Sequence, residues 1–345
     1  MHLLLTILAC SHPSSTPQPA SPAIHQPPEA SAASATAPAG SGQAQALRFE
    51  GICDGSAAVR LDDGRWWVAY DEDTALSLFP ADGGRYEARV ELVEALSLGD
   101  DGELDLEGAA RVGDRIWWIG SHGNDSAGEI EPNRRVLFAT TADDRGVLLA
   151  GPFDLTLLLR AAMPERLSDA AMKRPPKEGG LNIEGLAPGP DGRLLVGLRS
   201  PLSSPDGMTG TAAVAVLAAP EGAFTIERVL TLELGDKGVR DLFRDGDEYV
   251  LIAGPVASGG AQELRRWDGA STTTTPIAGP DLSDLNPEAV ARDGDAWLIL
   301  SDDGKLKRPD PEAEDGERTC DKIRKKSSQG DQHPEVYARG LRTAW

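Results

Sequence analysis

Histidine, cysteine and positive charge are all scarce in this chain of 345 residues, and each shortage excludes something. Of five histidines, only His122 and His333 lie beyond the first 45 residues, so a zinc site built from three histidines cannot form there. No Gly-Xaa-Ser-Xaa-Gly elbow, P-loop or dinucleotide fingerprint occurs, which removes the commonest signatures of serine hydrolases and nucleotide enzymes. Lysine and arginine number 34 against 55 aspartates and glutamates, a net charge of −21 that repels nucleic acid and anionic lipid. Cationic or metal-bridged partners fit that charge better. After Leu3–Ala9 no apolar run approaches the roughly 20 residues needed to span a membrane as a helix.

What the chain does have is one sentence written five times. The copies are LRFEGICDGSAAVRLDDGRWWVAYDED from Leu47, LDLEGAARVGDRIWWIGSHGND from Leu104, LNIEGLAPGPDGRLLVGLRSP from Leu181, GVRDLFRDGDEYVLIAGP from Gly238 and LNPEAVARDGDAWLILSDDG from Leu285. Each reads as a strand, a turn of Asp and Gly, and a second, more apolar strand; these residues tolerate the positive φ of tight hairpins. Weaker strands follow each pair. Four strands per unit and repetition over nearly the whole length predict an all-β chain, a β-propeller of four-stranded antiparallel blades. Five repeats are visible and six remain possible. The motif acids fall at Glu50, Glu107, Glu184, Asp241 and Glu288, and the interval from Glu107 to Glu184 is the longest. Its excess, about 156–180, reads as a helical insertion over one face. Trp66, Trp67, Trp117, Trp118 and Trp297 stand in second strands, where propeller packing makes them core.

The N-terminal residues carry a different message. Ile7, Leu8, Ala9 and Cys10 end a short apolar stretch and resemble the lipobox of a bacterial lipoprotein signal, with Cys10 as the lipidated residue. Residues 11–45 are almost wholly Ser, Pro, Ala, Gly, Thr and Gln, a composition that reads as a disordered tether. The domain organisation is therefore a signal at 1–10, a tether at 11–45 and the propeller at 46–345. The chain is expected to be exported and lipid-anchored at a bacterial cell envelope, touching the membrane only through its lipid; a soluble secreted or periplasmic form is the alternative. Cys53 and Cys320 remain, and they either form a disulfide that closes the ring or stay as two thiols.

Equivalent strand ends meet at one mouth in a propeller, so the polar residues flanking each strand pair should form a ring. Carboxylates and amide oxygens there suit calcium, which takes six to eight oxygen ligands; Glu50, Glu107, Glu184, Asn182, Asn286, Glu288 and Asp302 are the candidate ligands. The same glutamates read equally as structural acceptors. Arg199 and Arg240, with Ser200 and Ser301, are candidates to hold a phosphate or carboxylate, although the arginines could instead neutralise neighbouring glutamates. His122, Glu107 and Glu184 are the candidate catalytic groups, His122 moving a proton.

The blocks EGICDGSAAVRLDDGRWW, DLEGAARVGDRIWWIGSHG and NIEGLAPGPDGRLLVGLR resemble a bacterial family catalogued only as a domain of unknown function. The Glu-Gly strand starts and the Ser-Asp-Asp-Gly strand end are also similar, more distantly, to esterase-like phytase propellers and calcium-dependent lactonase propellers. The resemblance implies a propeller, and by analogy of fold alone a phytase-, esterase- or lactonase-like hydrolase. Two functions follow as expectations: a calcium-assisted hydrolase of phosphate or carboxylate esters acting on a small anionic substrate, or a non-catalytic propeller binding an envelope protein or glycan. Nucleic acid is not an expected partner, and the chain is expected to be monomeric.

Overall fold

The computed structural model describes residues 44–99, 103–218 and 223–345. The expected signal and Cys10, and all but the last two residues of the expected tether, lie outside these residues. Among the described residues no helix is long and apolar enough to cross a membrane.

Five sheets stand around a closed ring of inner strands, antiparallel throughout except for a two-residue parallel pairing of Phe49 and Glu50 with Gly84 and Arg85 at the outer edge of the fifth. The inner strands are Ala57–Arg60, Leu106–Val112, Asn182–Pro188, Lys237–Asp245 and Pro287–Asp293, and each contacts the next, the fifth returning to the first. Their partners Trp66–Ala69, Arg115–Gly120, Leu194–Ser200, Glu248–Pro255 and Ala296–Ser301 are almost entirely buried, because both faces lie between blades. That is why these segments read as unbroken apolar runs instead of alternating ones. The Gly-Asp hairpins repeat in three dimensions: Gly113, Gly246 and Gly294 stand at φ 63°, 65° and 62°, a conformation that costs other residues energy.

The fifth blade corrects the reading of the first copy. Gln45–Glu50 is not an inner strand. It pairs antiparallel with Tyr337–Thr343, with Leu47 opposite Gly340 and Glu50 opposite Tyr337, and so completes the fifth blade from the N-terminal side. Among the described residues the ring therefore has five blades and no sixth. It is pinned again nearby by a disulfide between Cys53 and Cys320, whose Cα atoms are 5.7 Å apart.

The long second interval contains helix Thr156–Ala162 and the short turns Ala171–Lys173 and Pro176–Glu178. Leu159, Met163 and Leu167 are buried against Ile119, Leu137 and Ile183, so the insertion covers the seam between the second and third blades.

Candidate functional site

Four inner strands share one irregularity, and it aims the site. The pairing of inner and second strand slips between Leu106 and Gly108, between Ile183 and Gly185, between Val239 and Asp241, and between Pro287 and Ala289. The extra residue of each bulge is Glu107, Glu184, Arg240 or Glu288; a bulge re-aims its side chain out of the sheet's alternation, here toward the central mouth. In the first blade Asp54-Gly55 stands where Glu107-Gly108 and Glu184-Gly185 stand in the next two. The glycine after the acid is needed because a neighbouring blade packs on it. A Cβ on Gly55 would come within 2.7 Å of Leu300, on Gly108 within 2.9 Å of Leu186, and on Gly185 within 2.9 Å of Val239.

Two expectations change here. Glu50 pairs in the closing strand and is absent from the mouth, and Asp54 takes its place. In the fourth unit the ring position belongs to Arg240; Asp241 turns into the blade seam, where its carboxylate accepts from Leu242 N at 2.7 Å and Val290 N at 2.6 Å. Burial pushes the Asp241 carboxyl up to about 8, those two bonds opposing.

The mouth is a cavity of about 980 Å³ whose lining holds thirteen aspartates and glutamates against six lysines and arginines, and no aromatic residue. Its charges divide into two arcs. On one, Arg199 Nη1 donates to Glu184 Oε1 at 2.7 Å, while Nε donates to Pro255 O and Nη2 to the carbonyls of Val256 and Ala257. Arg240 forks onto Glu288 through Nε, 3.1 Å from Oε2, and through a closer Nη2 bond to Oε1, and its Nε lies 3.6 Å from Glu184. Asn182 and Asn286 donate to Glu184 and Glu288 from the side. Burial still pushes the Glu288 carboxyl up to about 7, Arg240 opposing and Glu184 and Asp302 reinforcing.

The other arc is Asp54, Asp71 and Glu107. No cation forms an ion pair with any of the three among the described residues. Asp54 is 3% exposed, and its Oδ1 has no hydrogen-bond partner there. Burial raises its carboxyl well above the usual range, and Asp302, Asp71, Glu288 and Glu107 add to the effect. Glu107 is raised well above its range by burial and then by Glu184, Asp105 and Asp71. Asp71 is likewise raised, by burial and then by Asp105 and Asp302.

Several expected roles are taken up by structure. His122 is fully buried at φ 56°, its Nδ1 on Gly120 O at 2.9 Å and its Nε2 accepting from Leu155 N at 3.1 Å. Both ring nitrogens are occupied in joining the second blade to the insertion, so His122 is no proton shuttle; burial drives its pKa down to about 4. Ser200 donates to Gly180 O at 2.6 Å and Pro176 O at 3.1 Å, holding the insertion's last turn over the mouth. Ser301 bonds Asp303 and Asn286 N. Four of the five N–H groups of Arg199 are taken up by Glu184 and the three carbonyls. The seven candidate calcium ligands do not assemble either: Glu50 is elsewhere, Glu184 and Glu288 face arginines, and Asp302 accepts from Asn286 and Gly304. Among the described residues no three His, Cys, Asp or Glu side chains converge closely enough to hold a metal ion.

Asp54 is the residue the motif pattern missed. Its signal was the Asp-Gly that aligns with the other acid-Gly pairs, hidden because Glu50-Gly51 mimics them just upstream.

A family model described as Protein of unknown function (DUF3616) matches residues 54–134 and 156–285. No curated protein matches the chain. Among solved structures, glutaminyl cyclase from Myxococcus xanthus is 11% identical, with 74% of this chain and 88% of that one covered and a TM-score of 0.43. The putative oxidoreductase (glucose dehydrogenase) from Thermus thermophilus is 15% identical over 87% and 99%, with a TM-score of 0.44. Virginiamycin B lyase from Staphylococcus aureus is 12% identical over 88% and 99%, with a TM-score of 0.39. Similarities this low assign no chemistry to the mouth.

Proposed function

The chain belongs to the family described as Protein of unknown function (DUF3616), and from that premise we propose that it is a binding propeller whose central mouth takes a cationic ligand. One observation carries the reading: a buried aspartate, Asp54, keeps an oxygen without a donor and faces Asp71 and Glu107, neither of which pairs with a cation of the described chain. Crowded, desolvated acids destabilise the fold that holds them, and sites that bind or react are where such groups collect. A bound cation relieves both the burial and the mutual repulsion. The anion-binding alternative loses its support, since Arg199 and Arg240 already answer Glu184 and Glu288.

Thermal melting at pH 8 and constant ionic strength tests this with calcium, magnesium and small alkylammonium ions. The expected result is a higher midpoint with at least one of them, abolished in Asp54→Asn. If none raises the midpoint, or the variant responds like the parent, the mouth is not a cation site.

A second reading, hydrolysis of an ester at the same mouth, draws on Glu107, whose pKa burial and the neighbouring acids raise well above its ordinary range, the direction a general acid requires. Aryl phosphates, aryl esters and lactones, each with calcium and with a chelator, are the panel; turnover that disappears in Glu107→Gln supports it, and no turnover with any substrate ends it. The Cys53–Cys320 disulfide supports an oxidising compartment and with it the exported, lipid-anchored form. Radiolabelled fatty acid incorporated by the parent and by Cys10→Ser alike would refute the anchor.

A further inference from the structure

We propose that the ligand of the mouth is a linear polyamine, a flexible chain of protonated primary and secondary amines; this rests on the cation-binding reading above. The unpaired acids face a common space, yet no three of the described metal-ligating side chains converge around a point. An inorganic ion needs convergence, with oxygens at about 2.0–2.6 Å, whereas an extended polycation meets its carboxylates one after another. The cavity, about 980 Å³, has room for such a chain. No aromatic residue lines it, which removes the cage that quaternary ammonium ligands require. The ligand's charges must therefore bear N–H groups that carboxylates can accept.

The wall already binds this chemistry from within. Lys305 Nζ lies 2.9 Å from Asp321 Oδ2 and 3.2 Å from Glu72 Oε1, and Lys325 Nζ lies 2.7 Å from Glu72 Oε2. These are two alkylammonium groups seated on mouth carboxylates. Asp54, Asp71 and Glu107 offer the same acceptors deeper in, where no lysine of the described chain reaches. Buried Asp54, with Oδ1 lacking a donor, is the anchor. Exposed Glu178 and Asp284 line the same cavity and extend the acidic track to the rim. Lys177, on the turn that Ser200 holds over the mouth, brings an ammonium to that lining and competes with the ligand.

Isothermal titration of the purified chain at pH 8 and fixed ionic strength, with spermidine, putrescine, butylamine and calcium chloride in turn, tests the proposal. Spermidine should bind at least about tenfold tighter than butylamine, because linked ammoniums engage their acids together. Glu107→Gln should weaken spermidine by about fivefold or more, Lys177→Met should tighten it, and Asp247→Asn, in the turn at the other end of the fourth blade's inner hairpin, should leave it unchanged. Melting curves of each variant confirm that it is folded. Spermidine no tighter than butylamine, or weakened equally by Asp247→Asn, overturns the proposal as binding to a generally acidic surface. Calcium binding without spermidine binding overturns it while leaving the cation reading intact; if no cation binds, both fall.

Discussion

Replacing Asp54 by Asn should make this protein more stable, not less, and the pH dependence of the gain identifies the cause. Asp54 is 3% exposed and one of its oxygens has no donor among the described residues, while Asp302, Asp71, Glu288 and Glu107 repel its charge. Its folded pKa lies above the usual 3.8, so the folded state binds the proton more tightly than the unfolded chain does. The Asp54 contribution to stability is therefore complete below about pH 3.8 and is lost as pH rises through the folded pKa. Asparagine keeps the shape without the charge. An unsatisfied buried polar group costs about 1–3 kcal/mol, more when charged, so relief at alkaline pH should be of at least that order. At about 2 °C per kcal/mol for a domain of this size, the midpoint should rise by about 2–6 °C. Scanning calorimetry of both proteins at pH 4 and pH 9, without added ligand, reads the difference. A gain at pH 9 that shrinks toward zero at pH 4 supports the reasoning. Loss of stability at both values would mean that donors do hold the Asp54 carboxylate, and the argument for a cation site would go with it.

Arg199→Ala should destabilise the fold by about 3 kcal/mol in urea unfolding, because it leaves Glu184, 1% exposed, with only Asn182 and the longer 3.6 Å approach of Arg240; a neutral result would return Arg199 to the ligand-binding candidates. His122 gives the opposite pH slope to Asp54. Its folded pKa is about 4 against 6.5, so its contribution is present above 6.5 and declines by about 3 kcal/mol as pH falls to 4; His122→Gln should flatten that part of the stability curve, and an unchanged slope would refute the assignment. Cys53→Ser with Cys320→Ser should cost about 5 kcal/mol, given a sequence separation of 267 residues. A melting midpoint indifferent to the pair of substitutions would count against the crosslink as a staple.

The blades were legible because a hairpin is local. Glu107, Glu184 and Glu288 each precede a strand, turn and strand lying within about 20 residues, so their common rim follows from chain order. Glu50 failed for the complementary reason: its partner is Tyr337, nearly the whole chain away, and no short-range pattern records that pairing. The bulges were equally hidden, because a one-residue slip at Arg240 and Asp241 leaves no mark in composition yet exchanges which side chain faces the mouth. The arginines show a further limit. Arg199 and Arg240 could serve an anion or a glutamate, and only distances of 2.7 Å and 3.1 Å decide for the glutamates. His122 looked reactive by its rarity, but rarity says nothing of the Leu155 N–H that occupies it.

The closing strand also sets how the ring answers force. Traction on the N-terminal side of Gln45 would load six residues of antiparallel pairing with Tyr337–Thr343. Behind that pairing stands the covalent link from Cys53 to Cys320, one residue before Asp54. A pull from that side is thus borne by the fifth blade and its crosslink before it reaches the first inner strand.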